Sequence, residues 1–199
     1  ETMINHAISV KKYTTKSLLV FDMPFNTYNN IQDATKNVKY ILKRVKCDAF
    51  KIESNGRNLS VIKKLVKLGI PIMGHIGYTP QFKSKFKAQG LKEKEIKNLI
   101  DEAKGIEEAG AFSIVLECVR ETIAKKITSK INIPTIGIGS SKYCDGQILV
   151  TDDLIGMSGF YPKFVKKYIN LQKLVKNAVK RYRDDVRKKK FPNRLNSYN

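Results

Sequence analysis

The sequence predicts an α/β fold built on a parallel sheet, because apolar strand-like runs alternate with helix-like segments along most of the chain. Each run also stops at, or encloses, a polar residue able to do chemistry. Asp22 follows Leu18-Leu19-Val20-Phe21, Lys51 and Glu53 flank Ile52, His75 follows Pro71-Ile72-Met73-Gly74, and Glu117 follows Phe112-Ser113-Ile114-Val115-Leu116. In a parallel α/β fold the C-terminal ends of the strands share one rim, so residues distant in sequence meet there. An enzyme is the reading this pattern favours.

The elements follow in order. Residues 1–11 have the look of a helix interior. The first strand, 17–21, ends in Asp22-Met23-Pro24-Phe25, where Pro24 removes a backbone donor and stops pairing. A helix over 29–46 carries Ile31, Val38, Ile41, Leu42 and Val45 as an apolar stripe near the 3.6 period. Residues 49–53 form the second strand, closed by Asn55-Gly56, and the next helix runs from about Asn58 to a C-terminal stop at Gly69. The third strand is 71–74. The long connection 77–90, with Thr79-Pro80-Gln81, reads as a functional loop. Helix 92–108, strand 111–116, helix 120–130 and strand 132–139 come next. A sixth strand is placed at 147–150 with a turn through Gly156, and a helix over 161–187 precedes Phe191-Pro192.

Six strand-helix units are two short of a closed eight-strand barrel. Two architectures remain: an open doubly wound sheet, or a barrel whose opening strands are absent from this chain.

At 199 residues the chain suits one domain. Lys+Arg 38 against Asp+Glu 18 leaves a net charge of +20, but lysines such as Lys36, Lys39 and Lys43 are spread over polar helix faces and become dense only from Lys173 to Lys190. Solvated helix faces explain this better than a basic nucleic-acid-binding protein, so no nucleic-acid partner is expected. The three cysteines, Cys47, Cys118 and Cys144, lack zinc spacing and fit a reducing compartment. No apolar run approaches the roughly 18 residues of a membrane span and no signal peptide is visible. A cytoplasmic protein without a membrane partner is expected.

Lys51 and Glu53 lie two apart on a strand and point to one face, where buried ions need partners. Asp22 and Glu53 together suit a divalent cation with oxygen ligands, of which Mg²⁺ is the one that takes few protein carboxylates. The alternative is a structural ion pair of Lys51 with either carboxylate. A Schiff-base role for Lys51 is disfavoured, because adjacent carboxylates keep the amine protonated. His75, between Gly74 and Ile76-Gly77, is either a structural donor or a donor to an anionic substrate. Glu117 sits in an apolar setting that makes a carboxylate a stronger base, as a carbon acid requires. Gly137-Ile138-Gly139 lacks the rest of a dinucleotide fingerprint.

Several strings together resemble the ketopantoate hydroxymethyltransferase family: Leu-Val-Phe-Asp-Met-Pro-Phe (19–25), Phe-Lys-Ile-Glu (50–53), Met-Gly-His-Ile-Gly-Tyr-Thr-Pro-Gln (73–81), Val-Leu-Glu-Cys-Val (115–119), Ile-Pro-Thr-Ile-Gly-Ile-Gly (133–139) and Cys-Asp-Gly-Gln-Ile-Leu-Val (144–150). The resemblance continues through Phe164-Val165-Lys166-Lys167-Tyr168 and Asp185-Val186-Arg187. It implies a TIM (β/α)8 barrel lacking its first two strands in this chain, one N-terminally incomplete barrel domain over 1–199 with 161–199 as C-terminal helix and tail. It implies Mg²⁺-dependent transfer of a hydroxymethyl group from 5,10-methylenetetrahydrofolate to 3-methyl-2-oxobutanoate through a metal-stabilised enolate, in pantothenate synthesis, by a homo-oligomer, a decamer in related proteins. By the same resemblance Asp22 and Glu53 hold the metal, Asp22, Lys51 and His75 contact the keto acid, and Glu117 accepts the proton. Two departures stand out. The family's Asp-Ser pair after its second strand has no counterpart here, and Ser140-Ser141-Lys142-Tyr143 replaces a more glycine-like stretch. An upstream segment is therefore expected to be missing; a catalytically inactive remnant of the barrel is the alternative.

Overall fold

The computed structural model describes residues 1–198. They form two compact units, 1–148 and 149–199.

In the first unit, helix α1 (Thr2–Lys11) precedes β1 (Val20–Asp22), α2 (Ile31–Leu42), β2 (Ala49–Glu53), α3 (Leu59–Lys67), β3 (Ile72–Gly77), α4 (Glu93–Glu108), β4 (Ser113–Glu117), α5 (Glu121–Thr128), β5 (Thr135–Ile138) and the short β6 (Gly146–Gln147). The six strands form one sheet in the order β1-β2-β3-β4-β5-β6, and every neighbouring pair is parallel. A doubly wound sheet reverses its strand order at a switch point, whereas a (β/α) barrel adds each strand beside the last. The strictly sequential order selects the barrel, here a curled run of six strands.

The strands divide their side chains between two surroundings. Phe50, Ile52, Ile72, Ile76, Ile114 and Leu116 enter the apolar core together with Val38, Ile62, Leu65, Leu99 and Ile106 from the helices. Gly74 shows how tight this layer is, since a Cβ there would lie 2.5 Å from Ile106 Cγ2. The alternate residues, Lys51, Glu53 and His75, point the other way, as the strand period of two demands. Helix α2 starts where Asn30 caps it, its side chain accepting the Asp33 N–H at 2.8 Å.

Five element assignments differ most from those read in the sequence. Strand β1 is shorter and shifted, and ends with Asp22 rather than before it. Strand β3 continues past Gly74 to Gly77, so His75 lies inside the strand. Gly77 is the stop because its φ is +98° and a Cβ would meet Glu117 O at 2.2 Å. Strand β6 is confined to Gly146–Gln147, and the segment read as a turn is α6 (Thr151–Ile155), closed by Gly156 at φ +74°. In the second unit the C-terminal helix, α7 (Leu171–Arg187), begins ten residues later than read, at an Asn170 cap that accepts the Lys173 N–H at 3.1 Å. Among the described residues no helix is long and apolar enough to cross a membrane.

Asp145 ties the start of β5 to the loop before β6, accepting Thr135 N–H at 2.8 Å and Thr135 Oγ1–H at 2.9 Å. These hydrogen bonds hold its carboxyl below the ordinary 3.8. A depressed carboxylate stabilises the fold above its unfolded value and loses that contribution as pH falls through the folded one. Thermal melts should therefore show Asp145→Ala less stable than the parent at pH 7, with the gap narrowing once the pH drops below about 4.

Candidate active site

Strand register brings five polar side chains to one place. Asp22 pairs with Lys51 across β1 and β2, Glu53 pairs with His75 across β2 and β3, and Gly77 pairs with Glu117 across β3 and β4. All five lie at or near the C-terminal ends of their strands and share one face. A Cβ at Gly77 would lie 2.2 Å from Glu117 O and 2.8 Å from Val119 Cγ2, so glycine is what lets β3 run this close to the end of β4.

Lys51 is the hub. Its Nζ lies 2.8 Å from Asp22 Oδ1 and 3.9 Å from Glu53 Oε1, and 3.2 Å from His75 Nδ1. An ammonium has only protons to offer, so His75 Nδ1 is the acceptor and the neutral ring carries its proton on Nε2. Burial lowers the His75 pKa, against the raising effect of Glu117, and so favours this neutral form. Nε2 lies 3.2 Å from Glu117 Oε2, yet it is buried without a well-aligned hydrogen bond. It points a donor toward the carboxylate while remaining able to turn to another acceptor.

Glu53 and His75 have side chains only 3% exposed, whereas Asp22 is 44% exposed, so Asp22 forms the open edge of the cluster. Burial pushes the Glu53 carboxyl up to about 7, with the Gln81 backbone N–H and Lys51 opposing that rise. The Gln81 N–H reaches Glu53 Oε2 at 3.0 Å. Its side chain is fixed in turn: Nε2 donates to Met23 O at 2.9 Å, and Oε1 accepts from Tyr28 OH at 2.5 Å. Gln81 thus fastens the loop after β3 both to Glu53 and to the residue following Asp22. Sequence reasoning placed Gln81 in a functional loop without assigning it a partner, and did not single out Tyr28.

The oxygens available to a cation are those of Asp22 and Glu53. Asp22 Oδ1 is buried and accepts no directed hydrogen bond despite the nearby ammonium, which leaves lone-pair capacity for a ligand. No group of three or more His, Cys, Asp or Glu side chains is poised around one point among the described residues. Carboxylate oxygens are the donor type that Mg²⁺ takes, one or two from the protein and the rest from water and substrate.

Glu117 ends β4, and Cys118 follows it with φ +53°. This left-handed conformation, costly for a residue with a side chain, turns the chain at the rim. The thiol is buried and its pKa is raised to about 12, chiefly by desolvation and then by the Glu117 charge. Because the thiolate is the reactive form, iodoacetamide at pH 8 should leave Cys118 unmodified in the folded protein and alkylate it in urea. Rapid labelling of the native protein at Cys118 by peptide mass mapping would contradict this environment.

A family model described as ketopantoate hydroxymethyltransferase matches residues 1–194. Relatives named 3-methyl-2-oxobutanoate hydroxymethyltransferase include one from Pelagibacter ubique (strain HTCC1062), 46% identical over 198 residues, covering 100% of this chain and 77% of the relative. Another, from Clostridium botulinum (strain 657 / Type Ba4), is 47% identical over 203 residues, covering 100% of this chain and 74% of the relative. Among solved structures, a candidate phosphonomutase from Burkholderia cenocepacia J2315 superposes with a TM-score of 0.50 at 11% identity, over 68% of this chain and 60% of that one. At that identity the likeness concerns the fold alone. The match over nearly the full length, and relatives this similar along all of it, place the chain in the ketopantoate hydroxymethyltransferase family.

Proposed function

We propose that the chain carries the catalytic rim of an enzyme that transfers a hydroxymethyl group from 5,10-methylenetetrahydrofolate to 3-methyl-2-oxobutanoate, with Mg²⁺ held by Asp22 and Glu53. The observation that supports this most strongly is the Lys51 hub: Asp22, Glu53 and His75 all lie within 4 Å of Lys51 or of each other, and His75 links the hub to Glu117. Family membership supports the reaction class.

The chemistry follows from charge. A 2-oxo acid is an anion with two oxygen functions side by side, and loss of the proton at C3 moves an electron pair toward the keto oxygen. Mg²⁺, when bound, supplies Lewis-acid stabilisation of that developing negative charge. Lys51 adds a fixed positive charge at the same place, already oriented by Asp22 and Glu53, so little reorganisation accompanies the reaction. Glu117 accepts the C3 proton, and the neutral His75 directs its Nε2–H at the substrate oxygen or at Glu117. C3 then forms the carbon–carbon bond to the one-carbon unit, water supplies the hydroxyl oxygen, and tetrahydrofolate leaves with its nitrogens reprotonated. Gln81 and Tyr28 hold Glu53 in place.

The apolar residues exposed along α7, among them Leu174, Val179, Tyr182 and Val186, recur at helical spacing in the second unit and support assembly with further copies of the chain.

Deuterium exchange at C3 of 3-methyl-2-oxobutanoate, followed by proton NMR in D₂O with Mg²⁺, reads the first step without the folate. Glu117→Gln should slow exchange by about 10²-fold or more while Mg²⁺ affinity, measured by calorimetry, changes little. Asp22→Asn should weaken Mg²⁺ binding by about tenfold. Absence of exchange in the parent protein, or equal loss of metal affinity in both variants, contradicts the proposal.

A further inference from the structure

Glu117 is aimed by its backbone. Among the described residues its carboxylate makes one ion-pair contact, to His75 Nε2 at 3.2 Å, and that contact is not a well-aligned hydrogen bond. The direction in which the side chain leaves β4 is therefore set by the turn that follows it, where Cys118 stands at φ +53°. A residue with a side chain keeps such a conformation only where its surroundings impose it. Two flanking segments do so here: the Cys118 N–H donates to Ile138 O at the end of β5 at 2.9 Å, and the Cys118 carbonyl accepts the Gln89 N–H at 2.8 Å.

The second of these segments is the far end of the loop after β3. That loop leaves the strand with the Tyr78 N–H on Glu117 O at 2.8 Å and returns at Gln89, which forms a parallel bridge with Val119 and accepts the Arg120 N–H at 3.0 Å. The Gln89 side chain fixes the return. It is buried, its Oε1 accepting from Lys83 Nζ at 2.9 Å and its Nε2 donating to Lys87 O at 2.8 Å. Lys83 Nζ also donates to Gly77 O, so one ammonium ties the stop of β3 to the point where the loop comes back. Lys83 lies on an exposed stretch of the loop, yet its ammonium turns onto these two oxygens. Partial burial lowers its pKa, opposed by the charges of Glu102, Glu95 and Glu53. A lysine that gives up hydration in this way does so at a cost, which the two acceptors offset. No step of the chemistry described above uses it.

We infer that Lys83 and Gln89 are positioning residues for Glu117: they pin the loop after β3 against the left-handed turn at Cys118 and thereby fix where the Glu117 carboxylate points. This inference rests on the proton-accepting role proposed above for Glu117. Among the described residues neither side chain hydrogen-bonds to a member of the cluster around Lys51, so the two act through the backbone alone. Without the ammonium, Gly77 O and Gln89 Oε1 are two acceptors with no proton between them. The returning chain then moves outward, and Cys118 relaxes toward an ordinary conformation. Glu117 swings with it and loses its aim at C3. A base displaced by about 1 Å loses rate steeply, because proton transfer needs near contact. Binding of the keto acid and the cation depends on Asp22, Lys51 and Glu53, which are fastened separately, Glu53 by the Gln81 N–H.

C3 exchange of 3-methyl-2-oxobutanoate in D₂O with Mg²⁺, resolved into kcat and KM, tests this. Lys83→Met and Gln89→Leu should each lower kcat by about tenfold or more, with KM for the keto acid and the calorimetric Mg²⁺ affinity within about twofold of the parent. Gln89→Glu keeps an oxygen for Lys83 and should hold kcat within about threefold of the parent. The double variant Lys83→Met/Gln89→Leu should be no slower than the slower single one, because residues that act as a unit are not additive. A second readout needs no turnover: iodoacetamide at pH 8 should label Cys118 faster in folded Lys83→Met and Gln89→Leu than in the parent. Circular dichroism checks the fold of each variant, and either one alone suffices if the other does not fold. The inference is overturned by kcat within about twofold of the parent, by a rise in KM or a loss of Mg²⁺ affinity as large as the fall in kcat, by Gln89→Glu as slow as Gln89→Leu, by multiplied losses in the double variant, or by unchanged Cys118 labelling. Absence of exchange in the parent would instead overturn the reaction on which it rests, and Cys118 labelling would still decide whether Lys83 and Gln89 hold the turn.

Discussion

The ammonium of Lys51 is the charge on which the rest of the rim depends. Two carboxylates and an imidazole crowd one face of three adjacent strands, and carboxylates so placed repel one another. At 4 Å, in surroundings of effective dielectric near 20, a unit charge attracts its opposite by about 4 kcal/mol. Lys51 meets Asp22 well inside that distance and Glu53 close to it. Without it, Glu53, already pushed up to about 7 by burial, would be driven further toward the neutral form. The lysine therefore opposes the loss of charge from Glu53 at the mouth of a largely apolar fold.

That arrangement constrains the surrounding backbone. Lys51 reaches Asp22 because the two are register partners, and Glu53 reaches His75 for the same reason. A one-residue slip in either pairing would turn each side chain into the apolar layer. The core guards against such a slip: Phe50, Ile52, Ile72, Ile76, Ile114 and Leu116 are nearly fully buried against the helices, and Gly74 admits Ile106 so closely that no side chain fits. Packing on the outer face thus sets the chemistry on the inner one. Gly77 performs the corresponding service for Glu117, ending β3 where a side chain would strike the carbonyl of its neighbour.

Much of this was legible in the sequence, for a physical reason. Buried parallel strands read as apolar runs, so the polar residues that interrupt or end them stand out, and Asp22, Lys51, Glu53, His75 and Glu117 were found that way. Helix faces were equally visible, as in α2 and α4. The choice between an open sheet and a barrel was not, because strand order is a tertiary property and came into the reading only through family resemblance. The exact end of β3 was hidden by two glycines: Gly74 continues the strand because its flank must be thin, and Gly77 stops it because its φ is positive. The Gln81–Tyr28 clamp was hidden because its partners lie more than fifty residues apart. In the C-terminal segment a helix was read from Tyr161, while the Asn170 cap sets the start of α7.

The proposed reaction makes a single demand of the bound state: a keto acid entering at Asp22 must meet Lys51 with its oxygens and present C3 to Glu117. A crystal structure of the protein soaked with Mg²⁺ and 3-methyl-2-oxobutanoate measures this most directly. The account predicts a cation shared by Asp22, Glu53 and the two substrate oxygens, with C3 within about 3.5 Å of a Glu117 carboxylate oxygen. A keto acid bound away from Lys51, or held with C3 turned from Glu117, would contradict it.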